Sequence, residues 1–347
     1  MDSKTSVPVT VCIISYNRKE IIVNTINSIL QQSVSPTKIM LVDNASTDGT
    51  TKLVIERFPD VEVIALNKNL GPNVARNIGL KEADTKYVLL VDDDVLLENN
   101  SLNILFTQME AEENYVISSP IVVYAKNPKE VQYGGTMLHY IGAGVSNTGD
   151  IETFQKYTRP YKVSALAAAA IMIRRDIVNQ VGWFDEDLFF GWTDGEFCAR
   201  VTLAGYDCVI IPTALARHDV QPRSKAMMYY QIRNRWLFIL RVYQLKTILV
   251  ILPALLLYEV ILFALSISVR QARAYFKANM SVIEMLPATL AKRKFTQSTR
   301  KISDTEILTS GTWSKTRLFD NNAFFGFVMK LINMAFNVYW KIIKIVI

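Results

Sequence analysis

The first hundred residues alternate short, continuous apolar runs with segments whose apolar residues recur every three or four positions. The β-branched runs in VPVTVCIISYN, KIMLVDNAS, VEVIALN and KYVLLVDDD are typical of strands that are buried on both faces. The intervening segments RKEIIVNTINSILQQS, GTTKLVIERF and GPNVARNIGLKEA have helical spacing. Because strands joined by helices form a parallel sheet, this order predicts an α/β Rossmann-like domain.

Polar residues gather where the predicted strands end. Such clusters run from Ser15 to Arg18, from Asp43 to Asp48 and from Asp92 to Asp94. Ligands of open α/β sheets bind at the carboxyl ends of the strands, so we expect a binding site there.

Residues from about 96 to 219 mix a helix, short strands and a glycine-rich stretch, and no linker interrupts them. We therefore expect residues 1–222 to form one domain and residues 223–347 to form a helical, membrane-associating region. The three cysteines are widely spaced, which argues against a disulfide framework or a structural zinc site and favours a reducing compartment. The polar start of the chain predicts no signal peptide, so we expect the first domain to be cytoplasmic.

Charge divides the chain into two parts. Residues 1–219 carry 27 Asp and Glu against 19 Lys and Arg, whereas residues 220–347 carry 5 against 19. No nucleic-acid-binding motif accompanies the basic residues, so we expect no nucleic-acid partner. The basic part contains long apolar runs, a combination that favours an anionic membrane surface.

The apolar run at 248–269 is long enough to span a bilayer, and it is interrupted by Pro253, Glu259 and two serines. A helix packed on the domain and a re-entrant hairpin bent at Pro253 are the alternatives. Near the end of the chain, at about 323–347, one stripe of a helix would carry polar residues among apolar ones, which predicts an interfacial amphipathic helix. The stripe comprises Lys330, Asn333, Asn337, Lys341 and Lys344.

Three adjacent carboxylates, Asp92, Asp93 and Asp94, follow the predicted strand YVLLV. They repel one another unless a cation or hydrogen-bond donors neutralise them, so we predict a site for Mg²⁺ or Mn²⁺. Strand alternation places Asp92 and Asp94 on one side and Asp93 on the other. The alternative is a solvated acidic turn that caps the next helix.

The segments CIISYNR, LVDNASTDGT, NLGPNVARNIGL, LLVDDDV and WFDEDLFFGWTDGEFCARVTLAGYDCVIIPTALARHD together resemble the inverting family 2 glycosyltransferases of the GT-A fold. The resemblance covers about residues 7–219 and implies metal-dependent hexosyl transfer from a nucleotide sugar. The residues that it assigns to the nucleotide sugar are Ser15, Asn17, Arg18, Asp43, Gly71, Arg76, Asn77, Asp92 and Asp93. Arg223, in a basic loop after the last motif, is added to this set because such a loop can close over a diphosphate. A membrane-proximal basic patch is an equal explanation of Arg223.

A general base is expected in FGWTDGE, where the resemblance implies an acidic pair followed by a second acid. The first acid is replaced by Thr193, so Asp194 is the predicted base and Glu196 the alternative. Both acids could instead cap the following helix. A histidine at the place of His218 can complete the metal site of Asp92 and Asp94 in such enzymes. His139 lies in the glycine-rich stretch and has no predicted role.

The sequence thus predicts a single-sugar transferase that acts on a membrane-held acceptor, most simply a lipid-linked oligosaccharide, in glycan biosynthesis. The alternatives are transfer to a polyprenyl phosphate, a sugar nucleotidyltransferase and, from another class, a non-catalytic membrane-binding scaffold. DDDVL does not match the motif of the first alternative, and SYNRKE is not the phosphate loop of the second. The retained acidic residues argue against a scaffold. The donor, the acceptor, the linkage and the oligomeric state stay open at this point.

Overall fold

Strand β1 (Ser6–Ser15) lies in the middle of the main sheet, because nearly all of its side chains from Val7 onward are buried and can pack on both faces. The computed structural model describes residues 4–220, 227–312 and 323–347, with side chains of the last stretch from residue 326. The other strands are β2 (Ser35–Asp43), β3 (Glu62–Ala65), β4 (Tyr87–Asp92), β5 (Val95–Leu97), β6 (Tyr115–Tyr124), β7 (Asn127–Tyr133), β8 (Thr136–His139), β9 (Ala143–Ser146), β10 (Gly149–Asp150), β11 (Tyr161–Val163), β12 (Ala170–Arg174), β13 (Asp207–His218) and β14 (Leu308–Thr309).

Helices connect the strands and predominate in the last third of the chain. They are α1 (Ile22–Leu30), α2 (Thr50–Arg57), α3 (Pro72–Glu82), α4 (Ser101–Ala111), α5 (Ile151–Phe154), α6 (Arg175–Val181), α7 (Thr193–Leu203), α8 (Met227–Val242), α9 (Leu245–Ser268), α10 (Ala272–Ser298), α11 (Asp304–Ile307) and α12 (Ala323–Ile343).

The main sheet has the order β10-β7-β6-β12-β4-β1-β2-β3, and β13 pairs with β5, β6 and β11. Strands β4, β1, β2 and β3 are parallel, as their alternation with helices predicts. Strand β12 pairs antiparallel with β4, so the sheet is mixed and not wholly parallel. The predicted α/β Rossmann-like fold is confirmed, and its parallel strands end together at one edge.

Helix α3 packs unusually close to β1. A Cβ atom built on Gly79 would lie 2.2 Å from Sγ of Cys12, so only glycine allows this approach. Pro72 occupies the first turn of α3, where its missing N–H is not needed. The close packing holds Arg76, one turn before Gly79, near the strand ends.

The chain forms two compact units. The sheet unit comprises Met1–Thr136, Ser146–Thr202 and Tyr206–Ser224, and the helical unit comprises Met137–Val145, Leu203–Gly205 and Lys225–Ile347. The sequence predicted a boundary near residue 222 but not the two inserted segments. The longer insert belongs to the helical unit because β8 pairs with β14 and the Tyr140 hydroxyl donates to the Phe336 carbonyl at 2.9 Å.

The predicted apolar run forms helix α9, which begins at Leu245 and ends at Ser268. Among the described residues, α9 is the one helix long and apolar enough to cross a membrane, and 22% of its most apolar window is buried. The predicted terminal helix is α12. Met329, Phe336, Trp340 and Ile343 of α12 are buried in the helical unit.

His139 is fully buried in the helical unit, and its Nδ1 accepts the Ile141 N–H at 3.2 Å. Its Nε2 has no hydrogen-bond partner within the described ranges. Burial lowers the pKa of His139 to about 3, so the ring stays neutral in the folded protein at ordinary pH. The unfolded chain binds a proton near pH 6.5, and the free energy of unfolding therefore falls as the pH decreases below 6.5.

From pH 7.5 to 5.5 this histidine should remove about 1.4 kcal/mol from the free energy of unfolding. His139→Leu should show that much less pH dependence than the native chain, because His218, the other histidine, is unchanged. Urea unfolding at the two pH values measures the difference. Equal pH dependence in the two proteins would contradict a neutral, buried His139.

Candidate active site

Strand β4 ends in Asp92, whose N–H donates to the Ala169 carbonyl of the neighbouring chain segment at 2.9 Å. The guanidinium of Arg76 lies 3.3 Å from Oδ1 of Asp92. The Arg76 side chain is only 6% exposed, whereas that of Asp92 is 34% exposed. A buried cation therefore supports a carboxylate that reaches solvent at the sheet edge.

Several charged groups influence Asp92. Removal from water raises the pKa of its carboxyl, and the Arg76 guanidinium opposes that rise. Asp94 and Asp194 also raise this pKa, whereas His218 lowers it. The fold therefore gathers residues from distant parts of the sequence within electrostatic reach of one strand end.

Asp94 is joined to His218 by the pairing of β5 with β13, which sets His218 opposite Val95. Nε2 of His218 lies 3.1 Å from Oδ1 of Asp94, and both side chains are nearly buried. On the other side of the ring, Nδ1 of His218 lies 2.8 Å from Oε1 of Gln132. The imidazole is thus held between an amide and a carboxylate.

This arrangement has an electrostatic consequence. When Nδ1 of His218 donates to Oε1 of Gln132, a neutral ring directs the lone pair of Nε2 toward the Asp94 carboxylate. Two facing lone pairs repel each other, and a divalent cation bound by both atoms removes the repulsion. The pair therefore fits a divalent cation in its donor chemistry.

Two of the three predicted metal ligands, Asp94 and His218, lie in contact with each other. Among the described residues, no three His, Cys, Asp or Glu side chains converge closely enough to hold a metal ion. Asp92 contacts Arg76, while Asp94 and His218 contact each other. A cation here would rest on Asp94 and His218 and leave positions for other ligands.

Asp93 lies in the turn after β4, so its orientation is set by its contacts and not by strand alternation. Its carboxylate accepts the Tyr16 N–H at 3.0 Å and the Arg18 Nε–H at 3.3 Å, and its carbonyl accepts the Thr25 hydroxyl at 2.8 Å. Burial, with the neighbouring Asp94, raises the pKa of Asp93 to about 7. Asp93 thus ties the loop after β1 to the end of β4.

Asp194 lies in the first turn of α7. Its Oδ2 accepts the Ala168 N–H at 2.9 Å, and its Oδ1 accepts the Gly195 N–H at 3.1 Å. The Thr193 hydroxyl, in the place of the missing acid, lies 3.4 Å from both the Arg76 guanidinium and Oδ1 of Asp194. The threonine therefore links the predicted base to the cation beside Asp92.

Strained backbone borders the strand ends. Asn17, Ala45 and Trp192 have φ values of 54°, 67° and 61°, a left-handed conformation that is costly for residues other than glycine. Asn17 follows β1, Ala45 follows β2, and Trp192 precedes α7. Such strain concentrates at functional sites, where the surrounding fold enforces it.

Asp43, predicted to contact the nucleotide sugar, is bonded within its own turn. Its carboxylate accepts the Ser46 N–H at 3.0 Å, the Thr51 hydroxyl at 2.7 Å and the Ser46 hydroxyl. The side chain is buried and its oxygens are used within the turn after β2. Oδ1 of Asn17 accepts the Thr47 N–H at 2.8 Å, so these residues hold the two loops together.

A comparison with protein families gives a match over residues 10–182, which include most of β1, all of β4 and the aspartates at 92–94. The matching family model is described as glycosyl transferase family 2. The chain belongs to glycosyl transferase family 2.

Two relatives extend the family 2 assignment. The chain is 25% identical over 207 residues to an N-acetylglucosaminyl-diphospho-decaprenol L-rhamnosyltransferase of Mycobacterium tuberculosis, which covers 53% of this chain and 66% of that protein. It is 30% identical over 148 residues, or 40% of this chain and 58% of the relative, to WfaP of Escherichia coli. WfaP is a UDP-Glc:alpha-D-GlcNAc-diphosphoundecaprenol beta-1,3-glucosyltransferase.

A solved structure shows the same fold. The crystal structure of GalNAc-T7 with UDP, GalNAc and Mn²⁺ matches with a TM-score of 0.53 and 16% identity, covering 71% of this chain and 49% of that one. The chain thus spans 66%, 58% and 49% of the length of these three proteins, respectively. At this identity the likeness concerns the GT-A fold alone.

Two residues of the family 2 segment NLGPNVARNIGL, Asn77 and Gly71, contact the segment that precedes α7. The Asn77 amide donates to the Phe184 carbonyl and to Glu186, each at 2.9 Å, and accepts the Phe184 N–H at 3.0 Å. A Cβ atom on Gly71 would lie 2.8 Å from Cδ2 of Phe189. Asn77, predicted to contact the nucleotide, thus holds the segment at Phe184–Glu186, and Gly71 makes room for the loop before α7.

Glu196, the alternative base, is also structural in this glycosyltransferase. Its carboxylate is 1% exposed and bonds the Arg200 guanidinium at 2.8 and 3.0 Å. Arg200 also donates to the Trp183 carbonyl at 2.7 Å. The four-residue spacing of Glu196 and Arg200 was a signal of this ion pair in the sequence.

Glu196→Gln should lower the free energy of unfolding by about 3 kcal/mol, because it leaves the buried Arg200 charge without its partner. The folded fraction should keep its turnover number within about twofold. Glu62→Gln is the matched control, since Glu62 pairs with Lys38 at 2.7 Å but is 48% exposed, and its loss should cost less than about 1 kcal/mol. Urea titrations with activity assays separate the two effects. A stable but inactive Glu196→Gln variant would restore Glu196 as a catalytic candidate.

The sequence contains no sign of Gln132, and it marked Thr193 only as the replacement of an acid and not as a contact of Arg76 and Asp194. Gln132 lies in β7, and no motif marks it, because its link to His218 depends on the packing of separate strands. Ser15 is buried at the end of β1, and its hydroxyl has no partner in the described part of the chain. Arg223 lies outside the described residues.

Proposed function

We propose that this family 2 enzyme is metal-dependent and inverting, and that it transfers one sugar from a nucleotide-sugar donor to a lipid-linked acceptor. The observation that carries the proposal is the gathering of Asp94, His218, the Asp92–Arg76 pair and Asp194 at one sheet edge. The relatives with prenyl diphosphate sugars as acceptors support the acceptor class. A non-catalytic scaffold is not consistent with the family.

Asp94 and His218 would hold Mn²⁺ or Mg²⁺, with Gln132 fixing the imidazole. Such an ion neutralises the charge that develops on the diphosphate as it leaves. Arg76 supplies a fixed positive charge at the same edge, where the buried guanidinium needs no rearrangement during the reaction. Asp92 and the loop after β1 complete the proposed donor side.

Asp194 is the proposed base. Its carboxylate would accept the proton of the acceptor hydroxyl while that oxygen bonds to C1 of the sugar and the bond from C1 to the phosphate oxygen breaks. Bonds from the Ala168 and Gly195 N–H groups fix the position of the carboxylate. Attack from the face opposite the leaving group inverts the anomeric carbon.

We further propose that the enzyme works at the cytoplasmic face of a membrane, since nucleotide sugars are made in the cytosol and the acceptor carries a prenyl chain. The basic, apolar C-terminal third supports an anionic membrane as partner.

Transfer assays with the full chain test the proposal. UDP- and dTDP-sugars would be offered with Mn²⁺ and with three acceptor conditions: N-acetylglucosaminyl diphosphate undecaprenol, undecaprenyl phosphate, and none. We expect transfer to the diphosphate-linked sugar, loss of transfer with EDTA, and an inverted anomer by NMR. Transfer to the phosphate would support the polyprenyl-phosphate alternative, and transfer that persists with EDTA would refute metal dependence.

A further inference from the structure

Helix α9 exposes one apolar stripe and buries the opposite one. The buried face includes Ile251, Leu255 and Tyr258, which pack within the helical unit. Apart from Leu257, spacings of three, four and seven residues place the exposed large apolar side chains on a single stripe. These are Leu245, Leu249, Leu252, Leu256, Val260 and Ile267.

Helix α12 has three faces instead of the two predicted from its sequence. One face is buried in the unit, and Lys330 and Lys341 lie on an exposed polar face, with Lys344 exposed just after the helix. A third, apolar face is exposed beside the lysines. It consists of Phe327, Leu331, Met334, Val338 and Ile342.

Helices α9 and α10 form an antiparallel hairpin. Arg293, near the end of α10, donates to the Leu240 carbonyl at 2.7 Å and to the Tyr243 carbonyl at 2.5 Å, just before α9 begins. Earlier in α10, the Tyr275 hydroxyl donates to Glu259 of α9 at 2.6 Å. The end of α10 therefore returns to the start of α9.

Glu259 locks α9 to its neighbours. Its carboxylate forms an ion pair with Arg235 of α8 in addition to the Tyr275 bond. The Arg235 guanidinium also donates to the Ile141 carbonyl at 3.1 Å. On another part of α9, the Tyr339 hydroxyl of α12 donates to the Val250 carbonyl at 2.7 Å. Helix α9 is consequently joined to α8, α10 and α12 along its length.

A spanning α9 would take α10 into the bilayer with it. Helix α10 contains Arg273, Lys277, Glu284 and the basic run at 292–294 among its apolar residues. Placing these charges in hydrocarbon is costly. An arrangement along the surface, by contrast, buries the exposed stripes and leaves the charges in the headgroup region.

We propose that α9 and α12 embed their exposed apolar stripes in one leaflet of an anionic bilayer, and that α9 does not cross it. Charge supports this occupant, because residues 220–347 carry 19 basic residues against 5 acidic ones and lysines line the α12 stripe. This attachment rests on the proposed function, because an enzyme that acts on a membrane-held acceptor has to work at the membrane surface.

Cysteine labelling tests the topology. Lys246→Cys and Ser268→Cys place one exposed thiol at each end of α9, and the native chain is the control because Cys12, Cys198 and Cys208 are buried. Sealed inside-out membrane vesicles would be treated with a membrane-impermeant maleimide. Both variants should be labelled within about twofold of each other, without an increase after detergent. Labelling of one end only after the vesicles are opened would overturn the proposal in favour of a span.

Vesicle flotation tests the stripe. With vesicles of phosphatidylcholine and phosphatidylglycerol at about 7:3, the double variant Leu249→Gln and Leu256→Gln should partition at least about tenfold more weakly than the native chain. Ile55→Gln, at an exposed apolar residue of α2 in the sheet unit, is the matched control and should bind within about twofold of native. Circular dichroism would verify that each variant is folded.

A second copy of the chain is the competing occupant. Unchanged vesicle binding of the double variant, with a change of oligomeric state in sedimentation, would refute the leaflet proposal. Neither assay requires glycosyl transfer, so failure of this attachment and failure of the proposed activity can be told apart.

Discussion

Asp194→Asn is expected to lower the turnover number about 10²- to 10⁴-fold while the dissociation constant of the nucleotide sugar stays within about twofold. An amide retains the size of the carboxylate and can still accept the Ala168 N–H bond, but it cannot take a proton from the acceptor hydroxyl. The effect should therefore fall on the chemical step. Turnover with saturating donor and donor binding by calorimetry are the two measurements.

The alternative role of Asp194 is to stabilise the start of α7. Asp176→Asn is the matched control for it, because Asp176 also lies in the first turn of a helix, α6, and is exposed. Both variants should lose a similar, small part of the free energy of unfolding, about 1 kcal/mol or less, whereas only Asp194→Asn should lose turnover. Near-normal turnover in Asp194→Asn would remove Asp194 as the base.

The second large effect is expected at the paired carboxylate and imidazole. Asp94→Asn should raise the Mn²⁺ concentration for half-maximal activity at least about 100-fold, because it replaces the charged ligand opposite His218 with a neutral amide. Gln132→Leu should produce a smaller rise of about 10- to 100-fold, as it leaves the imidazole without its orienting partner.

Asp84→Asn is the control for these variants, since Asp84 is an exposed aspartate in the loop between α3 and β4. It should respond to Mn²⁺ like the native chain. The measurement is a titration of Mn²⁺ against release of the nucleoside diphosphate, in buffer first cleared with EDTA. Activity of Asp94→Asn at the native Mn²⁺ concentration would exclude Asp94 as a metal ligand.

The parallel half of the sheet could be predicted because its signals are local. The apolar run of β1 and the helical spacing of Ile22, Ile26 and Ile29 in α1 are each visible within a few consecutive residues. A continuous apolar run buries its side chains as a strand, whereas apolar residues three and four positions apart are buried together only in a helix. Strand ends follow from the same pattern. For this reason the sequence also located the acidic cluster at residues 92–94.

The roles of the individual acidic residues depend on contacts between segments that are far apart in the sequence. Asp43 and Asp93 are both aspartates at strand ends, yet both use their oxygens to hold loops, because hydroxyl and N–H donors surround them. Asp194 and Glu196 are two residues apart on one helix. Only packing shows that Glu196 is buried against Arg200 while Asp194 lies within reach of Asp92.

By itself, the sequence determined the α/β fold, the edge of the sheet where the candidate site lies, and the apolar, basic character of the last third. Tertiary structure decided the Gln132–His218–Asp94 arrangement, the structural roles of Asp43, Asn77 and Glu196, and the division of α12 into three faces. The physical reason is the separation in sequence between the residues that interact. Periodicity records which side of its own element a residue occupies, whereas the partner of a polar side chain depends on strands and helices that meet only after folding.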